Sequence, residues 1–183
     1  MVVYSFYIFD RHAECIYKKK WLPPPSTSTS SSSTTNASSL VTNGTSTTHH
    51  GPGPGTGKSN NGGRAAGKAL SDEDDAKLIF GTVFSLRGLV RKLGGPEDSF
   101  ISYRTGLYKL HYYETPTSLK FVMVTDTKTG GLRVVLHQIY VGLYVEYVVK
   151  NPLSPVEHPR GVGVNCELFE LGLEQFINGL LQN

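Results

Sequence analysis

Residues 71–95 read SDEDDAKLIFGTVFSLRGLVRKLGG, and this stretch carries the signals of one amphipathic helix. Ser71 is a suitable N-cap residue, and Asp74 follows three positions later, in a near capping-box arrangement. Acidic residues fill the first turn and basic residues the last turn, where the helix dipole favours each charge. Gly94 and Gly95 are followed by a proline, a pattern that ends helices. The stretch therefore predicts one long helix around which the other elements are arranged.

The apolar residues of this helix cover more than one face. The core-facing stripe at helical spacing consists of Ala76, Ile79, Phe80, Val83, Leu86, Val90 and Leu93. Phe84 extends the stripe on one flank, whereas Leu78 and Leu89 lie almost opposite it. Two interpretations are open. Either these residues are isolated exposed side chains, which are common in proteins, or a second side of the helix is covered by another subunit.

The rest of the sequence predicts five strands and two further helices. Runs rich in β-branched and aromatic residues predict strands at 2–9, 14–21, 100–104, 107–113 and 119–125. Short links join the last three strands, which predicts an antiparallel meander whose most apolar strand, the third, is central. Helices are predicted over 131–150 and from the cap residue Asn165 to about residue 182. The order β-β-α-β-β-β-α-α predicts an α+β domain, with helices packed on a five-stranded antiparallel sheet.

The predicted helix 131–150 is also apolar nearly all round. Its main stripe consists of Leu132, Val135, Leu136, Ile139, Leu143 and Tyr147. Val134, Val141 and Val145 populate the reverse side. A helix of this kind is normally covered over most of its circumference, and two of them cannot both be central in so small a body. We therefore expect part of this apolar surface to meet a neighbouring subunit. Glu146 falls within the main stripe, and is either paired or near its edge.

Residues 23–70 differ in composition from the rest of the chain. They are almost wholly Ser, Thr, Gly, Pro and Asn, which offers too little apolar surface to offset the entropy of ordering. We interpret them as a disordered insertion between strand 2 and helix 1. A single folded body, 1–22 and 71–183, remains. The insertion carries the whole net charge of +3, because the body has equal numbers of acidic and basic residues. This balance argues against nucleic-acid binding.

No pattern in the sequence points to catalysis, a metal or a cofactor. The histidines are scattered, and the glycine-rich run 51–59 departs from the phosphate-loop pattern at Pro52. The sequence Asp10-Arg11-His12 falls between two strands and is interpreted as a turn. An enzyme would have to recruit residues such as His111, Tyr112 and Asp126 into a polar pocket.

The two cysteines, Cys15 and Cys166, lie near opposite ends of the chain. A single long-range disulfide is conceivable, although reduced buried thiols fit an intracellular protein better. The N-terminus lacks the pattern of a signal peptide, and no apolar run reaches a membrane-spanning length of about 20 residues. These observations predict a soluble intracellular protein.

Three stretches together resemble the sybindin-like small subunits of the TRAPP vesicle-tethering complex. They are YSFYIFDRH at 4–12, EDDAKLIFGTVFSLRGLVRKL at 73–93 and YVEYVVKNPLSP at 144–155. The resemblance implies a longin-like fold and a place in a hetero-oligomer on the cytosolic face of the cis-Golgi and endoplasmic reticulum. It also implies that the small subunits together form the guanine-nucleotide exchange factor for the Rab GTPase of ER-to-Golgi traffic. Such a factor needs no catalytic residue or cofactor, because it shifts the GTPase between nucleotide-bound and nucleotide-free states.

The resemblance also implies an explanation for the extra apolar surface of the two helices, because helices of this family pack against neighbouring subunits. Aromatic residues are favoured anchors at interfaces. The candidate interface residues are Phe84, Leu89, Tyr140, Tyr144 and Val145. The alternative is another longin-type binding module, such as an adaptor small chain or a SNARE regulatory domain. A SNARE would require a heptad helix and a membrane anchor after residue 183.

Overall fold

The computed structural model describes residues 1–23, 72–155, 157–158 and 163–182. The strands are β1 (Val3–Phe9), β2 (Cys15–Lys20), β3 (Ser102–Arg104), β4 (Lys109–Glu114) and β5 (Lys120–Thr125). The helices are α1 (Asp72–Gly94), α2 (Arg133–Gln138) and α3 (Glu167–Gln182), and a π-helical segment (Ile139–Val149) continues α2. The predicted α+β fold and its order of elements are confirmed. The predicted N-cap Ser71 and residues 24–70 of the predicted insertion lie outside the described residues.

The five strands form one antiparallel sheet in the order β2-β1-β5-β4-β3. The predicted meander is present as β3-β4-β5, and β5 pairs with both β1 and β4. Every residue of β5 is buried. The prediction that the most apolar strand is central is therefore correct, since only a strand with neighbours on both edges and helices on both faces is shielded throughout.

Helices cover both faces of the sheet, because successive side chains of a strand point to opposite sides. The buried residues on the α1 side are Tyr7, Phe9, Ala76, Val83, Phe100, Leu110, Tyr112 and Val122. The larger cluster on the other side joins Phe6, Ile8, Phe121 and Met123 to the buried residues of α2, the π-helical segment and α3. The sheet is thus the middle layer between α1 and the three C-terminal helical elements.

Helix α1 packs on the sheet along most of its predicted stripe. Ala76 and Val83 are fully buried, and the next residues of the stripe are half-buried against them. Leu93 is an exception, because 80% of its surface is exposed. A helix of this length is about 34 Å long, whereas a six-residue strand spans only about 20 Å. The last turn of α1 therefore extends past the sheet, and the stripe stops covering anything at Leu93.

The predicted helix 131–150 changes its winding after its first six residues. Its last turns are π-helical, with wider turns and bonds between residues five apart; for example, the amide of Lys150 donates to the carbonyl of Val145 at 3.0 Å. The buried positions are consequently Leu132, Leu136, Ile139, Tyr144 and Val148. The predicted stripe, with Leu143 and Tyr147, assumed regular α-helical spacing, so the structure corrects its second half. Glu146 is exposed and pairs with Lys150 at 2.5 Å.

The residues between β1 and β2 form a turn, as the sequence predicted. The Asp10 carboxylate accepts the amide hydrogens of His12 and Glu14 at 2.8 and 2.9 Å. The buried ammonium of Lys120 donates to the carbonyl of Asp10 at 3.1 Å and to that of Ser118 at 2.9 Å, which joins this turn to the β4–β5 turn. Burial lowers the pKa of Lys120. These side chains hold two turns at one end of the sheet.

Candidate subunit interface

The side of α1 that faces away from the sheet carries a band of exposed apolar side chains. We call this band the outer face of α1, and it consists of Leu78, Phe84, Leu89 and Leu93. Phe84 is 62% exposed and Leu89 is 52% exposed. By helical spacing Leu78, Leu89 and Leu93 lie along one side of α1 and Phe84 lies on the other flank of the buried stripe, so apolar side chains are exposed on both sides of that stripe.

Aromatic contacts connect the ring of Phe84 to the sheet and hold it in place. The ring of Phe84 stacks on Phe80, with centroids 6.1 Å apart, and Phe80 packs on the buried ring of Phe9 at 5.4 Å. An anchor that is already ordered loses little side-chain entropy when a partner covers it. The exposed ring of Phe84 is therefore supported on one side by contacts that reach the core.

Small residues lie between the apolar side chains of α1 and leave room beside the helix. A shallow groove of about 550 Å³ is lined by Leu78, Gly81, Ser85, Leu86 and Tyr103, among others. A methyl group added at Gly81 or at Gly88 would meet nothing within 4 Å. Small residues at such spacing allow another backbone to come close, so the surface suits a packed partner element.

Ion pairs fix α1 against the sheet. The guanidinium of Arg87 binds both carboxylate oxygens of Glu114 on β4, each at 2.9 Å, and the hydroxyl of Tyr112 donates to the same carboxylate at 3.0 Å. Burial, together with the Glu114 charge, raises the pKa of Tyr112, so this hydroxyl stays protonated and continues to donate. Near the start of α1, Lys20 pairs with Asp75. The outer face is consequently carried on a helix that is anchored near its start and again at Arg87, before its last two turns.

The structure separates the candidate interface residues of the second helix. Tyr144 is only 4% exposed, and its ring packs edge-on against Phe121 at 5.7 Å and Phe169 at 6.0 Å. It belongs to the internal core, because the π-helical winding turns it toward the sheet. Tyr140 and Val145 are half-buried, and neither adjoins Phe84 or Leu89, since the two helices lie on opposite faces of the sheet. The five predicted residues therefore do not form one patch.

Two exposed apolar residues of α3 escaped the sequence reasoning. Leu168 and Leu171 lie largely in solvent, whereas their neighbours Phe169 and Leu173 are fully buried. The sequence could have indicated their exposure, because at helical spacing both leucines fall outside the stripe that contains Phe169 and Leu173. The same reasoning singled out Leu89 on α1.

Of the residues that an enzyme would have recruited, His111 and Tyr112 point to opposite sides of the sheet, and Asp126 lies near His111. His111 lies on the α2 side of the sheet, where its Nε2 forms a hydrogen bond with the hydroxyl of Thr125 at 3.0 Å. Tyr112, the next residue of β4, points to the α1 side and binds Glu114.

Among the described residues, no group of three or more His, Cys, Asp or Glu side chains is placed to hold a metal ion. The thiols of Cys15 and Cys166 are free, and each donates to a main-chain carbonyl at 3.4 Å. None of the helices in the described part of the chain is long and apolar enough to cross a membrane.

Comparison with known proteins accounts for nearly the whole chain. The chain is 38% identical to "Transport protein particle subunit bet5" of Schizosaccharomyces pombe over 183 residues, which cover 98% of both proteins. It is 35% identical to human "Trafficking protein particle complex subunit 1" over 182 residues, 98% of this chain and 94% of the relative. Identity to "Trafficking protein particle complex subunit BET5" of Saccharomyces cerevisiae is 34% over 159 residues, 86% of this chain and 78% of the relative. The model of the sybindin-like family matches residues 3–180, and the chain belongs to that family.

Proposed function

We propose that this chain is a non-catalytic core subunit of a TRAPP vesicle-tethering complex. Relatives that carry TRAPP subunit names align along almost their full length, so the proposal does not depend on a shared fragment. The structural observation that carries it is the outer face of α1. This face is apolar, anchored to the sheet and unoccupied by any described part of the chain, which suits a subunit that is buried against others.

We further propose that the complex acts as the guanine-nucleotide exchange factor for the Rab GTPase of ER-to-Golgi traffic. This chain contributes to the assembly of that factor on the cytosolic face of the cis-Golgi and endoplasmic reticulum. Its partners are the other TRAPP small subunits, and it reaches the membrane and the GTPase through the complex. Exchange of this kind requires tighter binding of the nucleotide-free GTPase, which is a matter of surface complementarity and needs no cofactor.

Within this proposal, Phe84 and Leu89 form the centre of one subunit interface. Leu78 and Leu93 extend it along the helix, and the groove at Gly81 receives side chains of the partner. Tyr140 and Val145 lie on the other face of the sheet, so we assign them to a different neighbour. Tyr144 is left out, because its ring is already buried within this chain.

The test is a charge placed on the outer face of α1. The double variant Phe84→Asp/Leu89→Asp is expected to release this chain from the complex in affinity purification followed by size-exclusion chromatography. The helical circular dichroism of the purified chain should be retained, because both side chains point to solvent. The matched control is Leu168→Asp/Leu171→Asp, which places two charges on similarly exposed positions of α3.

Each outcome has a clear meaning. Retention of the α1 double variant in the complex would refute the interface, and loss of its circular dichroism would place those residues in the internal core. Release by the α3 pair alone would move the interface to α3. Co-purified partners that belong to an adaptor complex would favour the alternative longin-type module over a TRAPP subunit.

A further inference from the structure

A cavity of about 780 Å³ runs along the free edge of β2, away from the outer face of α1. The first turns of α1 form one wall with Ala76 and Phe80, and Phe9 lies behind them. The start of α3, with Glu170, and the preceding Val164 form the other wall. The volume lies within the range of about 300–1,000 Å³ found for ligand sites.

The main chain of β2 is open toward this cavity. The amide of Trp21 donates to the carbonyl of Tyr4 at 2.9 Å, and in an antiparallel ladder such bonded pairs alternate with unbonded ones. Lys18 pairs with Tyr7 at one of the unbonded positions, so its N–H and C=O point away from β1. One main-chain hydrogen bond is already made on the side of β2 away from β1. In it, the amide of Val164 donates to the carbonyl of Ile16 at 2.7 Å. The edge therefore accepts main-chain partners, and among the described residues no main-chain bond is made at the outward position of Lys18.

Tyr17 lines the cavity, and its buried hydroxyl has no hydrogen-bond partner within the described part of the chain. Tyr17 is 6% exposed, and its ring is packed edge-on between Phe6 and Phe169. Among the described residues no group forms a hydrogen bond with its hydroxyl. Burial, and then the charges of Glu170 and Glu174, raise the pKa of Tyr17, so the hydroxyl is neutral. A buried polar group without a hydrogen bond is unfavourable, and a ligand that supplies the bond gains affinity.

The charge around this hydroxyl selects the kind of group that would approach it. Glu174 is engaged by Lys19 at 2.6 Å, but Glu170 forms no ion pair with a described residue. A donor with positive charge would be attracted by Glu170 and could also bond the lone pair of the Tyr17 oxygen. The α3 side of the cavity is therefore suited to a basic group, whereas the α1 side offers the apolar surface of Ala76 and Phe80.

We propose that this cavity is a docking groove for an extended segment of a partner protein in which a basic residue alternates with apolar ones. The segment adds to the edge of β2 through the main chain of Lys18. Because neighbouring side chains of a strand point to opposite sides, the basic residue turns toward Tyr17 and Glu170. The apolar residues on either side of it turn toward Ala76 and Phe80. The inference is independent of the trafficking role and of the α1 interface.

The test uses fluorescence polarisation with two labelled hexapeptides, Thr-Val-Arg-Val-Thr-Ser and the same peptide with Glu in place of Arg. The purified full-length chain is the receptor. The Arg peptide is expected to bind roughly fivefold more tightly than the Glu peptide, as one partly exposed charge pair allows. Glu170→Gln should abolish this preference. Glu167→Gln is the matched control one turn earlier on α3, outside the cavity, and should leave the preference unchanged.

A second pair of variants tests the main-chain contact. Lys18→Pro and Lys18→Ala both remove the side chain, but only proline removes the outward N–H, and proline is tolerated at such edge positions. Binding should be lost in Lys18→Pro and kept in Lys18→Ala, with unchanged circular dichroism in both.

Several results would overturn the proposal. Absence of binding by both peptides, or equal affinities for them, would exclude the basic-residue groove. Unaltered binding by a folded Lys18→Pro variant would exclude strand addition. If Glu170→Gln and Glu167→Gln weakened the preference for the Arg peptide equally, that preference would reflect general charge attraction and no specific groove. If neither peptide bound and a crystal structure showed an ordered water at the Tyr17 hydroxyl, the partner of that hydroxyl would be water and not a peptide.

Discussion

Tyr144 and Phe84 are both aromatic residues on long apolar helices, yet the protein uses them in opposite ways. Tyr144 is enclosed by Phe121 and Phe169, whereas Phe84 rests on Phe80 and turns its other side to solvent. Their residue type is nearly the same, so the difference comes entirely from the direction in which each side chain points. At the scale of single residues, that direction decides between the core and the exposed surface.

Truncation of these two residues should therefore have different effects on stability. Tyr144→Ala is expected to lower the free energy of unfolding by about 3–5 kcal/mol, because it opens a cavity between the sheet and α3. Phe84→Ala should change it by no more than about 1 kcal/mol, since most of its ring is in solvent. Urea unfolding of both variants, followed by circular dichroism, measures the difference. Equal losses would show that Phe84 is part of the core.

His111 makes stability depend on pH. Burial chiefly, and then the charge of Lys109, lowers the pKa of His111 to about 4. The unfolded chain, with an ordinary histidine pKa near 6.5, binds more protons between about pH 4 and 6.5, so stability rises with pH across that window. The contribution of about 3 kcal/mol is complete above pH 6.5, and is lost as the pH falls through 4.

The measurement compares urea unfolding of the wild type and His111→Gln from pH 4 to 7. The stability advantage of the wild type should shrink as the pH falls, because only the wild type must keep a buried imidazole neutral. A difference that stays constant over this range would contradict the assignment.

At the scale of elements, the π-helical segment and α3 form a closely packed pair. Gly172 of α3 faces the segment, and a methyl group placed there would lie 3.1 Å from Leu143 and 3.5 Å from Tyr147. Gly179, two turns later, has no atom within 4 Å of the same position. The wide π-helical turns bring these side chains against α3, and glycine makes the room.

The same substitution at these two glycines should therefore give different results. Gly179→Ala is expected to stabilise the chain by about 0.5–1 kcal/mol, because alanine is the better helix former. Gly172→Ala gains the same helix propensity but must displace Leu143, so its net effect should be clearly less favourable. Thermal or urea unfolding of both variants gives the comparison. Equal stabilisation would mean that the contact at Gly172 yields without cost.

At the scale of the whole molecule, two surfaces are left over once the core is complete. The outer face of α1 exposes apolar side chains that the sheet does not need, and within the described residues the outer edge of β2 is joined to another segment at Ile16. Both lie on the part of the chain that is folded around the sheet. A small domain with surfaces of this kind is best explained as one part of a larger assembly.

The domain organisation leads to a further prediction at this scale. We propose that residues 23–70, which contain few bulky apolar residues, contribute no core to the folded body. Replacement of 24–70 by twelve Gly and Ser residues should leave the unfolding transition cooperative. It should raise the free energy of unfolding by about 1 kcal/mol, because a shorter loop costs less closure entropy. A large loss of stability would show that the segment packs on the body.

Much of the fold could be predicted because it depends on local pattern. The strands were recognisable from β-branched and aromatic runs, and the long helix α1 from its charges, its stripe and its terminal glycines. The candidate interface stays a prediction, and the structure shows only which of its residues are exposed. Phe84 and Leu89 lie off the stripe of a regular α-helix, and the structure exposes both. Tyr144 was misplaced, because its position depends on a π-helical winding that no residue pattern announced.

The amino-acid sequence by itself determined which segments are strands and helices, their order, the central place of β5 and the family to which the chain belongs. These properties follow from residue periodicity and composition, which act over a few neighbouring positions. Only the tertiary structure decided the winding of the segment Ile139–Val149, the exposure of Leu93 and the cavity at the edge of β2. Those features depend on how far each helix reaches over the sheet and on which side chains meet across it. Such distances join residues far apart in the chain, so no local pattern records them.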